Sequence, residues 1–374
     1  MSKYISKVLP GGVVEVSAPV VTIEDLMEVA ELDPQVWTAV QPSVNTWPVQ
    51  TKEGTRQLYQ IKSTFRPRKQ TDIHLQWKLF NDELAARGPK RKLRPRAAGA
   101  ERTALEVAIY DMHLGKYSTD PNGKVNWDLE IGEASFINAV EKTIQRAKYF
   151  KPERIVFPVG NDWGNIDNIF GETTRNTRVD QGGMEHFHNT MRLSQNLLVW
   201  AVDEFSKLAP VTVFCVPGNH DYHSSYWLTD YLRAWFRNDA NVSVSDGISE
   251  RKYWRYGKSL VGFHHGCSVR GGRTDLKKLP LKMAKEARKD HAETEYHEWH
   301  VGHLHHERLV EDTGTYIRGV ASLTSFSDAY HDSHPFHTPR ASEAFIWHYD
   351  EGPIAHFTMK FLGEGRTYQA KVHK

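Results

Sequence analysis

From about residue 104 the chain alternates short apolar runs, rich in β-branched and aromatic residues, with longer segments of helical periodicity. Residues 105–110, 154–159 and 211–216 read as strands, and residues 134–148 and 187–208 read as the helices between them. Further strands are expected at 259–263, 299–302, 316–320, 344–349 and 354–361, with less helix between them. Such alternation calls for a sheet covered by helices, an α/β domain over residues 104–374. The start of the chain reads differently. Thr22 is placed to cap a helix with Ile23, Leu26 and Val29 on its apolar face, and Asp33-Pro34 opens a second short helix. Trp37, Val40 and Trp47 are then candidates for a small core, followed by an extended stretch over 56–65. Residues 1–65 therefore read as a small, mostly helical N-terminal domain, either helix-turn-helix-like or a packing appendage.

Between the two lies a basic stretch, residues 66–103. From Arg66 to Arg96 ten Lys or Arg face three acids, a local charge of +7, although the whole 374-residue chain carries only +2. With Gly88-Pro89 and the tail after Arg94, it reads as a mobile basic linker able to attract a polyanion. The helix expected over 275–290 adds Lys277, Lys278, Lys282, Lys285, Arg288 and Lys289, by default a solvated face. Composition otherwise excludes little: 39% hydrophobic and 25% charged residues are ordinary for a globular protein. No apolar run approaches the roughly 18 residues of a membrane helix, and the first residues do not read as a secretory signal. A cytoplasmic protein without a membrane partner is expected, with Cys215 and Cys267 as free thiols rather than a disulfide. Nothing in the sequence calls for a homo-oligomer.

The chemistry sits where the expected strands end. The first runs into Asp111-Met112-His113, the second into Gly160-Asn161-Asp162, and the third into Gly218-Asn219-His220-Asp221. His264-His265-Gly266 and Gly302-His303-Leu304-His305 follow two later strands. In open α/β sheets, sites form at the carboxyl ends of strands. Residues two apart on an extended segment point the same way, so Asp-x-His and His-x-His each bring two donors to one place. A glycine beside each later cluster lets the backbone turn sharply. Carboxylate, amide and imidazole together suit borderline divalent metals: Mn first, with Fe, Zn, Ni or Co as alternatives.

In this order and spacing the clusters resemble the calcineurin-like metallophosphoesterase superfamily, nearest in character to its DNA-repair exonuclease branch. The resemblance spans about residues 104–363. It implies a four-layer α/β/β/α sandwich with two metal ions at the strand ends. Asp111, His113 and His305 would hold one ion, and Asn219, His265 and His303 the other. Asp162 would bridge them, and His220, oriented by Asp221, would serve the leaving group. Asn161 intrudes where the superfamily has the bridging Asp directly after glycine, so Asp167 stays open as the alternative bridge, and His264 as the alternative to His265. The implied chemistry is in-line attack of a metal-bridging hydroxide on a phosphate ester.

Other polar residues are weaker candidates. Arg175 and Arg178, in the polar loop 171–183, are candidate substrate-binding residues through Arg–phosphate forks. His186 and His188 diverge on a helix, His331, His334 and His337 sit in a loop at a candidate pocket rim, and His291, His297 and His300 lead into the last cluster. The expected activity is phosphodiester hydrolysis, with nucleic acid as the partner. A phosphomonoesterase acting on phosphoprotein or nucleotide is the alternative, and a non-catalytic scaffold would have lost ligands that are all present here.

Overall fold

The computed structural model describes residues 6–9, 13–16, 22–30, 32, 34, 37–67, 88–95, 101–120, 122–179, 184–245, 247–268, 272–324 and 339–361. The chain divides into two compact units, Met1–Leu84 and Ala85–Lys374.

The first unit is mostly strand, which corrects the helical expectation. It contains β1 (Ser6–Leu9), β2 (Val13–Val16), α1 (Ile23–Val29), β3 (Trp37–Thr51) and β4 (Gly54–Pro67), in the antiparallel order β1-β2-β4-β3. The first helix forms as expected. The Thr22 hydroxyl accepts from the Asp25 N–H and the Asp25 carboxylate accepts from the Thr22 N–H, a reciprocal cap that satisfies two otherwise orphan donors. The second short helix expected from Asp33-Pro34 lies almost wholly outside the described residues; Pro34 is in a turn and β3 begins at Trp37. Thr38, Val40, Val44, Thr46 and Val49 favour the pleated sheet, and Pro42 and Pro48 would break a helix while being tolerated on an edge strand such as β3. The pairing slips between Val40 and Ser43, where Gln41 takes φ +55°. Leu26, Met27, Ile61 and Phe65 form the small core, with Trp37 and Ala39 against it. Trp47 lies outside it, 41% exposed.

The second unit is a four-layer sandwich. In chain order come β5 (Thr103–Ala108), the hairpin β6 (Ser118–Thr119) and β7 (Val125–Trp127), α2 (Leu129–Ala147), β8 (Arg154–Gly160), α3 (Met184–Leu208), β9 (Val211–Val216), α4 (Tyr222–Phe236) and β10 (Val242–Val244). Then follow β11 (Lys252–Tyr256), β12 (Ser259–His264), the hairpin β13 (Cys267–Ser268) and β14 (Gly272–Arg273), α5 (Leu279–Glu286), α6 (Arg288–Ala292), β15 (Tyr296–Val301), β16 (Arg308–Asp312), β17 (Thr315–Gly319), β18 (Ala341–His348) and β19 (Gly352–Lys360). One sheet has the order β10-β9-β8-β5-β18-β19, its first four strands mutually parallel. The other has the order β11-β12-β15-β17-β16, with its three central strands parallel.

Three apolar clusters account for the layering. Leu105 and Val107 of β5 face Phe136 of α2, Phe205 of α3 and Leu232 of α4, all buried. The alternate residues Ala104 and Ala108 face the other way, meeting Phe263 of β12 and Trp347 of β18 between the sheets. Beyond the second sheet, Leu279 and Met283 of α5 cover Leu260, Trp299 and Ile317. Each large apolar side chain buried in these layers is worth about 1.5–3 kcal/mol. The helix expected over 275–290 is broken: a 3₁₀ turn (Leu276–Lys278) precedes α5, and Ala287, at φ −108° and ψ 41°, separates α5 from α6.

A polar chain also joins the sheets. Buried His300 lies between Glu106 of β5 and Glu298, 3.1 Å from the latter; Arg318 Nε donates to Glu298 at 2.6 Å and Trp347 Nε1 to Glu106 at 3.0 Å. Burial alone would lower the His300 pKa, but the two glutamates hold it up at about 9. His300 thus ties together the two strands, β5 and β15, whose ends run into the first and last polar clusters.

Part of the expected linker belongs to this unit. Arg91 pairs with Asp203 and Asp239, and Asn241 exchanges hydrogen bonds with the backbone of Lys92 and Arg94. Residues 88–95 are therefore docked rather than mobile. Cys215 and Cys267 are both buried free thiols.

Candidate metal centre

Residues 111–114, just past β5, and residues 161–165, just past β8, continue side by side after the strands stop. The N–H groups of Asp111, His113 and Leu114 donate to the carbonyls of Asn161, Asp162 and Trp163, and the Asn165 N–H donates back to Leu114. This ladder holds the first two clusters in register. The chain can keep it only by turning sharply: Asp111, His113, Asn161, Asp162, His303 and His305 all have φ between +45° and +70°. A non-glycine residue in that region costs on the order of 1 kcal/mol or more, and such strain concentrates at functional sites. Two glycines make room. A Cβ at Gly218 would lie 1.9 Å from Asp162 Oδ1, and one at Gly302 would lie 2.8 Å from Asp111 Oδ2.

The side chains gather in three overlapping groups: Asp111, His113 and His305; His113, Asp162 and His220; and Asp162, His265 and His303. Asp162 belongs to two of them. His113 Nε2 is 3.1 Å from His305 Nε2 and 4.0 Å from Asp162 Oδ2, while His305 Nε2 is 3.5 Å from Asp111 Oδ1. On the other side, His265 Nε2 is 3.0 Å from both Asp162 Oδ2 and Asn219 Oδ1. Two donors at about 2.1 Å from one cation and at right angles to each other stand about 3.0 Å apart, so this spacing fits a metal between them. The other ring nitrogen of His265, Nδ1, is buried with no hydrogen-bond partner and stands 4.0 Å from Asp111 Oδ1. Buried carboxylates facing buried and half-buried imidazole and amide donors in this way suit a divalent ion.

The electrostatics point the same way. Burial works against ionising Asp162, yet the charges of His265, His220 and His113 and a hydrogen bond from His265 hold its carboxyl well below the usual range. Burial, reinforced by His220, keeps His113 neutral, and burial with neighbouring His265 pushes His303 down to about 4. At His265 burial is outweighed by Asp162, Asp111 and Asp221, which lift it to about 9. The carboxylates thus demand positive charge at this spot, and a proton on His265 answers that demand when no cation does.

The remaining expected residues divide clearly. His220 lies beside the cluster, its ring centroid 4.6 Å from that of His113, and its backbone N–H donates to Asp162 Oδ1 at 2.8 Å. Asp221 does not orient it. The buried Asp221 carboxylate accepts from Gly218 N–H, Gly164 N–H and the Ser225 hydroxyl, and burial pushes its pKa up to about 7. The His220 ring meets the Asn165 carbonyl instead, Nδ1 to O at 2.9 Å. Asp167 is also elsewhere, accepting from the N–H groups of His223 and Ser224 at the start of α4. His264 turns away from the cluster to accept from Gly266 N–H, leaving His265 among the carboxylates.

Arg175 and Arg178 are exposed on the loop after Gly171, and the Arg175 guanidinium reaches to 3.8 Å from Cys267 Sγ, two residues beyond His265. His186 pairs with the Gly115 carbonyl, and His291 stacks on His297 away from these groups. His331, His334 and His337 lie outside the described residues. The residue that sequence reading missed is Asn165, whose Oδ1 is 3.0 Å from His113 Nδ1. Its only sequence signal is an amide three positions after Asp162.

Neither a family model nor a curated protein matches the chain. Among solved structures the chain is similar to a novel archaeal phosphodiesterase, at 10% identity and a TM-score of 0.33 over 68% of this chain and 99% of that one. It is similar to Vps29 from Entamoeba histolytica complexed with Zn²⁺, at 13% identity and a TM-score of 0.28 over 68% of this chain and 98% of that one. It is also similar to a putative 5'-nucleotidase from Staphylococcus aureus, at 13% identity and a TM-score of 0.36 over 71% of this chain and 55% of that one. Likenesses this distant carry neither substrate nor mechanism to the present chain.

Proposed function

We infer that this chain is a two-metal phosphoesterase that hydrolyses phosphodiester bonds in nucleic acid. The observation that carries the inference is the place of Asp162 between two groups of donors, its Oδ2 4.0 Å from His113 Nε2 and 3.0 Å from His265 Nε2. One carboxylate common to two adjacent cation sites is the arrangement a two-ion clamp needs, and the order of the motifs resembles the calcineurin-like metallophosphoesterases. Asp111, His113 and His305 would hold one ion; Asn219, His265 and His303 the other. When bound, such a pair supplies an activated water and neutralises charge on the phosphate during in-line displacement.

The chain's own groups do the rest. His220, close to Asp162 and with its Nδ1 held by a carbonyl, would serve the leaving oxygen through Nε2, giving it a proton when the ring is an imidazolium. Arg175, steadied against Cys267, offers a fork to a non-bridging phosphate oxygen or to a neighbouring phosphate. The preference for nucleic acid rests on charge: Arg175 and Arg178 on the exposed loop and the +7 segment from Arg66 to Arg96.

An activity panel in the presence of Mn²⁺ tests the inference. A phosphomonoester, a bis-aryl phosphodiester, single-stranded DNA, duplex DNA and RNA are compared side by side. Turnover of the diester and of a nucleic acid is expected to exceed that of the monoester. Turnover of the monoester alone would make the chain a phosphatase.

A further inference from the structure

We propose that Asn165 is a positioning residue that fixes the tautomers of two histidines at once, that of His113 through its side chain and that of His220 through its backbone. The proposal rests on the metal-site reading above, and the observations are independent of it.

Asn165 is 5% exposed and is tied down on both sides. Its N–H donates to the Leu114 carbonyl at 3.1 Å, and the preceding residues are zipped to the segment that carries His113. Its Oδ1 stands 3.0 Å from His113 Nδ1 and its carbonyl oxygen 2.9 Å from His220 Nδ1. Both oxygens are acceptors only, so each bond is made when the facing Nδ1 carries the proton. For His113 this strips Nε2 to its lone pair, the form in which imidazole binds a metal, and Nε2 is the nitrogen that faces His305 and Asp162. For His220 it leaves the lone pair on Nε2. A ligating histidine held in this way by an outer acceptor typically loses about 10–100-fold in metal affinity when the acceptor is removed.

The two contacts separate experimentally because only one of them belongs to the side chain. Asn165→Leu removes the acceptor facing His113 and leaves the carbonyl facing His220. Asn165→Asp keeps an oxygen acceptor at the same distance. The full-length protein, freed of metal, is labelled with ¹⁵N-histidine and its ring-nitrogen signals are recorded. In parallel, Mn²⁺ alone is titrated by calorimetry.

The expected result is Nδ1–H on both His113 and His220 in the wild type. Asn165→Leu should shift only the His113 pattern and weaken one of two Mn²⁺ binding events by about 10–100-fold. Asn165→Asp should restore both readouts, which a general packing defect would not allow. The proposal is overturned if His113 carries its proton on Nε2 in the wild type, if Asn165→Leu leaves both binding events unchanged, or if Asn165→Asp loses as much as Asn165→Leu. Neither readout involves a substrate. Intact tautomers and metal binding with no phosphoester cleaved would refute the proposed function and leave the role of Asn165 standing.

Discussion

The two halves of the candidate centre reach the same goal, bare donors facing a cation, by opposite means. Around His113 the protein enforces neutrality: burial and His220 depress its pKa, and Asn165 occupies its Nδ1. Around His265 the protein enforces charge: Asp162, Asp111 and Asp221 overcome burial and lift it to about 9. One half is ready for a metal at neutral pH, whereas the other must first give up a proton. Asp162 stands beside both, its Oδ2 4.0 Å from His113 Nε2 and 3.0 Å from His265 Nε2.

The sharpest test removes what they share. Asp162→Asn is expected to empty both halves and lower kcat by about 10⁴-fold or more, since the chemistry depends on the paired ions; elemental analysis of the purified variant should find less than one metal per chain. If one ion stays bound at full occupancy, Asp162 is not the bridge. Next, His220→Ala should keep both ions and lose about 10²–10⁴ in kcat, read from kinetics and metal content on the same sample. Metal loss in step with activity would make His220 a ligand instead.

A pH series separates the halves directly. With His265 protonated below about 9, a metal entering its half displaces one proton, so apparent Mn²⁺ affinity there should rise about tenfold per pH unit between pH 6 and 9. The half built on His113 should be nearly flat over the same range, because its imidazole is already neutral. Equal slopes in a calorimetric titration would erase the distinction. The smallest effect is expected outside both halves. Arg175→Ala should raise KM for an oligonucleotide roughly tenfold, leave kcat within about twofold, and lose its effect at high salt.

How much of this could be read beforehand differs between the two units. In the second unit the strands at 211–216 and 259–263 were legible because a strand covered on both faces is a plain apolar run. In the first unit Trp37 to Thr51 resembles neither a clean helix nor a clean strand, since Pro42 and Pro48 interrupt it and Trp47 is exposed. Pairing with β4 decides its state, and pairing is not a local property. The same holds for α4, where Tyr222, Tyr226 and Trp227 obscure the helical stripe of Leu228, Leu232 and Phe236.

The sequence by itself determined which residues could do chemistry. Asp111, His113, Asp162, Asn219, His220, His265, His303 and His305 were all marked by a polar cluster directly after an apolar strand. That signal is local, because a strand end fixes both a direction and a two-residue spacing. Only the tertiary structure decided the partnerships: Asp221 held by Gly218, Gly164 and Ser225, His220 held by a carbonyl, Asp167 drawn to α4, and Asn165 set between two histidines. A hydrogen bond depends on distances of a few tenths of an ångström between segments tens of residues apart, and those distances exist only once the layers have packed.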